Sequence, residues 1–128
     1  MADEQRTTPL NGTKVLVVED EYYLAADLSR ALTDAGAEVV GPVGTLAEAQ
    51  DAVVAHGFDY AVVDMNLRGS FAHAVAEQLS DLGVPFVIAT GYDRASMPEN
   101  LRHTPRVEKP FAPLEVVDRL VNFRTGVV

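Results

Sequence analysis

Four polar side chains come directly after apolar runs, Glu19 and Asp20 after residues 15–18, Asp64 after 60–63 and Thr90 after 86–89, and a fifth, Lys109, follows the short segment 106–108. Glu21 extends the first acidic group. Carboxylates drawn within a few ångströms of one another repel, so either some hold protons or a divalent cation sits among them. An all-oxygen donor set that leaves room for water suits Mg²⁺ better than zinc. A hydroxyl from Thr90 and an ammonium from Lys109 in the same cleft would complement the oxygens of a phosphoryl group, with Mg²⁺ offsetting the remaining charge. Asp64, closing an apolar run, is the carboxylate placed to act as nucleophile.

Such a site needs elements that bring the ends of several runs together. The runs at 15–18, 60–63 and 86–89 are apolar throughout, which suits strands buried on both faces of a parallel sheet; 38–41 (Glu38-Val39-Val40-Gly41) is a fourth. Between them the period changes. Leu24, Leu28, Ala31, Leu32 and Ala35 recur at helical spacing, as do Leu46, Ala49 and Val53, then Phe71, Val75, Leu79 and Leu82, and after Pro113 Val117, Leu120 and Val121. Gly36, Gly57 and Gly83 close the first three helices, Thr45 with Glu48 forms a capping box, and Ser70 caps the third. Pro98 limits any helix between Tyr92 and Arg102 to a short one. Arg106-Val107-Glu108 is the candidate fifth strand.

Alternating strands and helices predict an α/β fold: a doubly wound (βα)₅ domain with a five-stranded parallel sheet in the flavodoxin-like order 2-1-3-4-5. Strands one and three are then neighbours, and ligands sit beyond the carboxyl ends of the strands where the winding reverses. The expected organisation is a flexible N-terminal arm over 1–13, a domain over 14–124 and a C-terminal tail over 125–128.

Ten Lys and Arg against nineteen Asp and Glu leave a net charge of −9, and the cations are scattered, which argues against a nucleic-acid partner. With no cysteine, neither disulfides nor a cysteine zinc site is available. No apolar run approaches the roughly 18 residues of a membrane span and no secretory signal is legible, so a cytoplasmic protein is expected, without a membrane partner.

The segments VVEDE, VVDMN, ATG and EKPF, in this order and spacing, resemble the receiver domain of two-component response regulators from about Lys14 to Arg124. The resemblance implies that Asp64 accepts phosphate from a sensor histidine kinase. It implies that Glu19, Asp20 and Asp64 hold Mg²⁺ with the main-chain carbonyl of Asn66, that Thr90 and Lys109 contact the phosphoryl oxygens, and that Lys109-Pro110 is a cis peptide. Residues 85–92, PFVIATGY, are similar to the PFxFATGY signature of the FATGUY subgroup of alphaproteobacterial receivers, with Ile88 in place of its second Phe. That similarity implies a kinase of the HWE type and stress or light signalling. Most receivers carry Tyr or Phe three residues before the lysine, and this aromatic swings inward as the Thr moves toward phosphate. Arg106 stands there, so output would leave through residues 91–102 and the strand-five surface. Arg68 stands where many receivers carry Pro.

Each of these residues also has a structural reading. Asp20 could simply cap the first helix, and Glu21 reads as an exposed first-turn residue favouring the helix dipole. His56, His73 and His103 have no metal-ligand spacing. Arg106 reads as a solvated edge-strand cation that discourages strand pairing. Lys109, beside apolar Pro110 and Phe111, has little structural reason to face a cleft. The expected function is that of a single-domain phosphoacceptor, not a turnover enzyme, existing as a monomer or weak dimer. It would signal through a downstream protein partner or act as a phosphate sink. One alternative is a pseudo-receiver that binds partners without phosphorylation. A haloacid-dehalogenase phosphatase fits poorly, because Asn66 occupies the place of its general-acid Asp.

Overall fold

A computed structural model describes residues 8–91 and 97–126. Its main sheet has five parallel strands: β1 (Lys14–Val18), β2 (Glu38–Val43), β3 (Tyr60–Asp64), β4 (Phe86–Thr90) and β5 (Arg106–Glu108). They lie in the order β2-β1-β3-β4-β5, the flavodoxin-like order expected. Helices α1 (Tyr22–Asp34), α2 (Leu46–Ala55), α3 (His73–Leu82) and α4 (Pro113–Thr125) connect or follow the strands. A 3₁₀ turn, Glu99–Leu101, follows Pro98, the short helix that this proline permits.

Side chains of a strand alternate between faces, and the core divides accordingly. Leu16, Val18, Ala61, Val63, Phe86 and Ile88 pack with Ala49 and Val53 of α2 and Val75, Ala76 and Leu79 of α3. Val15, Val17, Val62, Val87, Ala89 and Val107 pack with Leu28 and Leu32 of α1 and Val116, Val117 and Leu120 of α4. Both faces of the sheet are therefore covered, and the uninterrupted apolar runs follow from that.

The edge strand β2 carries an irregularity that matters for the cleft. Leu16 pairs with Val40 but Val18 pairs with Val43, so β2 has one residue more than β1 over this stretch, a bulge. Gly41 and Pro42 lie inside it. Gly41 has φ +95°, and a Cβ there would lie 2.9 Å from Val43 N, so no side chain fits. Pro42 lacks an N–H and is tolerated at a bulge in an edge strand. Past the bulge the chains are again in step, and Glu19 N–H donates to Val43 O at 2.9 Å. The bulge thus sets the backbone from which Glu19 projects.

Several local expectations are corrected. Ser70 does not cap α3: residues 66–67 and 70–71 form a small antiparallel hairpin around Arg68-Gly69, and the N-cap is Ala72. Both turn residues have positive φ, +52° at Arg68 and +85° at Gly69, the pattern of a type I′ two-residue turn. Phe71 and Leu82 lie at 52% and 46% exposure, because the hairpin and the helix end carry them off the buried stripe. α2 ends with His56, not Gly57, in the left-handed conformation, while Gly83 closes α3 as expected.

The flexible arm expected over 1–13 is also corrected in its last part. Leu10 is fully buried beside Leu32 and Ala35, and its N–H donates to Ala35 O at 2.8 Å. Arg124 of α4 donates to the carbonyls of Pro9 and Asn11 at 3.3 and 2.6 Å. A polar composition concealed a segment held by one apolar anchor and by backbone bonds. Residues 1–7 of the arm and 127–128 of the expected tail lie outside the described residues. Among the described residues, no helix is long and apolar enough to cross a membrane.

Candidate functional site

Strand register carries the site residues to one end of the sheet. Val18 lies beside Val63, Asp64 beside Ala89 and Thr90 beside Glu108, so Glu19, Asp64, Thr90 and Lys109 emerge at the carboxyl ends of adjacent strands. Lys109 N–H donates to Thr90 O at 2.9 Å, which fixes the chain leaving β5 against β4. The Lys109-Pro110 bond is cis, as the resemblance implied.

Asp64 is 2% exposed and both its oxygens are engaged. Oδ1 accepts from Asn66 N–H at 3.0 Å and Oδ2 from Lys109 Nζ at 2.9 Å. Lys109 also donates to Glu21 at 3.1 Å and to Glu19 at 3.4 Å. Burial works against the charged ammonium, but bonds to Asp64 and Glu21 and the charges of Asp64 and Glu19 outweigh it and hold its pKa above the usual lysine value. The cation therefore stays in place across the physiological range. Glu21, read from sequence as a helix-dipole residue, is an arm of this network. Its position directly after the acidic pair was the available signal.

Glu19 is 3% exposed. Its Oε2 accepts from Glu21 N–H and Lys109, while Oε1, buried, has no hydrogen-bond partner among the described residues. An ionised carboxylate with an orphaned oxygen is costly, and burial is the main cause that pushes the Glu19 carboxyl up to about 8. The neighbouring Asp64 carboxylate, by its closeness and its charge, acts in the same direction; the Glu21 amide and Lys109 oppose it. Asp20 is half-buried, and its Oδ2 accepts from Arg68 N–H at 2.9 Å. One oxygen from each of Glu19, Asp20 and Asp64 lies within 4.8 Å of the others. Three carboxylates with an unsatisfied buried oxygen fit a hard divalent cation, which would supply the charge that a proton on Glu19 otherwise supplies.

Above these groups lies an open cavity of about 430 Å³, lined by Asp20, Asp64, Asn66, Arg68, Gly69, Gly91 and Lys109. Thr90 is 1% exposed, one residue before the cavity-lining Gly91. Five of the sequence-derived residues, Glu19, Asp20, Asp64, Thr90 and Lys109, thus gather at one end of the sheet, with Asn66 on the cavity wall. Tyr92 of the PFVIATGY segment, and residues 92–96 of the expected output segment, lie outside the described residues. Arg106 is not the solvated cation expected: its side chain is 13% exposed and bonds to Glu108 at 2.7 Å. Spaced two apart on one strand, the two side chains share a face.

No family model matches the chain. Among curated proteins it is 27% identical over 106 residues to the transcriptional regulatory protein PdtaR of Mycobacterium tuberculosis, across 82% of this chain and 52% of that protein. The chain therefore spans about half the length of the curated relatives it matches. Among solved structures it is similar to the PhyR response regulator receiver domain of Erythrobacter litoralis (25% identity, TM-score 0.76, 89% of this chain and 92% of that one). It is also similar to SdrG of Sphingomonas melonis, at 36% identity and a TM-score of 0.73, over 85% of this chain and 96% of SdrG. With that level of identity over nearly all of SdrG, and with this sheet order, the chain belongs to the response-regulator receiver family.

Proposed function

We propose that this receiver is a phosphoacceptor that takes a phosphoryl group from a sensor histidine kinase onto Asp64 in a Mg²⁺-dependent step. The observation that carries this reading is the 2.9 Å contact between Asp64 Oδ2 and Lys109 Nζ beside a triad of carboxylates. Glu19, Asp20 and Asp64, with the Asn66 carbonyl, would hold Mg²⁺, which when bound offsets charge on the phosphoryl oxygens. The chain's own groups do the rest. Asn66 N–H, on Oδ1, orients the Asp64 carboxylate. Lys109 turns from Asp64 toward a phosphoryl oxygen once the Oδ–P bond replaces the N–P bond of the donor phosphohistidine. The Thr90 hydroxyl contacts a second oxygen.

The functional unit in this reading runs from the anchored segment at Thr8 to Arg124. The PFVIATGY segment supports a kinase of the HWE type, and similarity to the PhyR stress response regulator (27% identity, TM-score 0.70) supports stress signalling. Output travels by protein contact through residues 91–102 and β5, or the protein drains phosphate from its kinase. A pseudo-receiver is the second reading, favoured by Arg106, which is paired with Glu108 where other receivers have a mobile aromatic.

The test is to incubate the protein and its Asp64→Asn variant with Mg²⁺ and phosphoramidate, and to compare intact masses. Gain of one phosphoryl group by the wild type alone is expected. Wild type without gain, with Mg²⁺ still bound, sinks the phosphoacceptor reading for this donor class and favours the pseudo-receiver.

A further inference from the structure

Arg68 is the residue of the cleft whose presence the fold does not explain. It occupies the first position of the two-residue turn Arg68-Gly69, with φ +52°. A type I′ turn asks for Asn, Asp or Gly there, and a long side chain in the left-handed region is strained. Asn would relieve that strain without altering the turn, and it would keep the backbone N–H that binds Asp20 Oδ2 at 2.9 Å. What Asn could not supply is a cation. Arg68 lines the same cavity as Asp64 and Lys109, and it is exposed at the tip of a hairpin whose strands are paired and whose Gly69 N–H is bound by Asn66 Oδ1 at 2.9 Å. A strained residue at a functional site points to a role for its side chain.

We infer that the Arg68 guanidinium is a second catalytic cation of this site, contacting the phosphoryl oxygens during transfer to Asp64 from the hairpin, while the partly exposed Lys109 contacts them from the end of β5. The inference rests on the phosphoacceptor reading and deepens it. Charge supports it. A phosphoryl group on Asp64 brings about two negative charges, which join those of Glu19 and Asp20. Lys109 and Mg²⁺ offset all but about one of these, or about two once Glu21, which also pairs with Lys109, is counted, and Arg68 is placed to offset one more. Guanidinium also has the planar fork that matches two phosphoryl oxygens at once, which lysine lacks. The bond from its own N–H to Asp20 keeps the turn in register with the carboxylate triad, so the side chain starts from a fixed origin.

The experiment compares wild type, Arg68→Asn and Arg68→Lys for phosphorylation rate by phosphoramidate with Mg²⁺, for Mg²⁺ affinity by calorimetric titration and for melting temperature. Arg68→Asn is expected to melt at or above the wild-type temperature and to bind Mg²⁺ no more weakly. Its phosphorylation is expected to be about tenfold slower, with part of that loss restored in Arg68→Lys. A purely structural Arg68 would behave otherwise. Phosphorylation of Arg68→Asn at the wild-type rate overturns the inference and leaves the phosphoacceptor reading intact. So does a slower rate that comes with parallel losses in Mg²⁺ affinity and melting temperature. A wild type that takes up no phosphoryl group overturns both.

Discussion

With its carboxyl pushed up to about 8 chiefly by burial, Glu19 holds a proton at neutral pH that a bound cation must displace. In the unfolded chain the same group gives up its proton at about 4.3. Between these values the folded protein binds the extra proton, so its stability without Mg²⁺ falls as pH rises through that window. Lys109, shifted upward, works elsewhere: its contribution is complete below the usual lysine pKa and is lost only above it. Urea melts in a chelator should therefore show a midpoint lower at pH 7.5 than at pH 5.5, and Glu19→Gln should remove most of the difference. Mg²⁺ affinity should rise over the same range, with proton release visible as a dependence of the calorimetric enthalpy on the buffer. A pH-independent affinity would mean that Glu19 is ionised before the metal arrives.

Among the elements, the strands are the most legible in sequence, because burial on both faces leaves residues 15–18, 60–63 and 86–89 without a charged residue until the site begins. That same abrupt change marks Glu19, Asp64 and Thr90, whereas Lys109 follows a strand polar at two of its three positions. Contacts across long sequence separations were not legible. Nothing local in Arg68 announces a bond to Asp20, 48 residues away, and Ser70 looked like a cap because two short strands give no periodic signal. The end of α2 lies one residue before Gly57, since glycine is the usual left-handed residue but His56 takes the position instead, its ring 5.5 Å from that of Phe58. Replacing His56 by Gly should relieve its φ of 48° and raise stability by up to about 1 kcal/mol in chemical denaturation, less whatever the ring contact contributes. Loss of stability would show that the ring contact outweighs the backbone strain.

At the scale of the molecule, the anchored segment before β1 extends the core past the limit that composition suggested. Leu10→Ala should cost about 2–4 kcal/mol in urea unfolding, as for other fully buried leucines, where a flexible arm would lose nothing measurable. The site lies at the opposite end of the strands, so phosphorylation of the variant, once folded, should be unchanged. The ties from Arg124 to the carbonyls of Pro9 and Asn11 have a topological consequence. They bring the first and last described segments of the chain together at the amino ends of the strands, away from the cleft. A short linker joining those segments, with new ends opened at an exposed loop, would preserve every strand pairing in the sheet. Order along the chain and arrangement in space are separable here, since Pro9, Asn11 and Arg124 meet at the end of the sheet remote from the carboxylates.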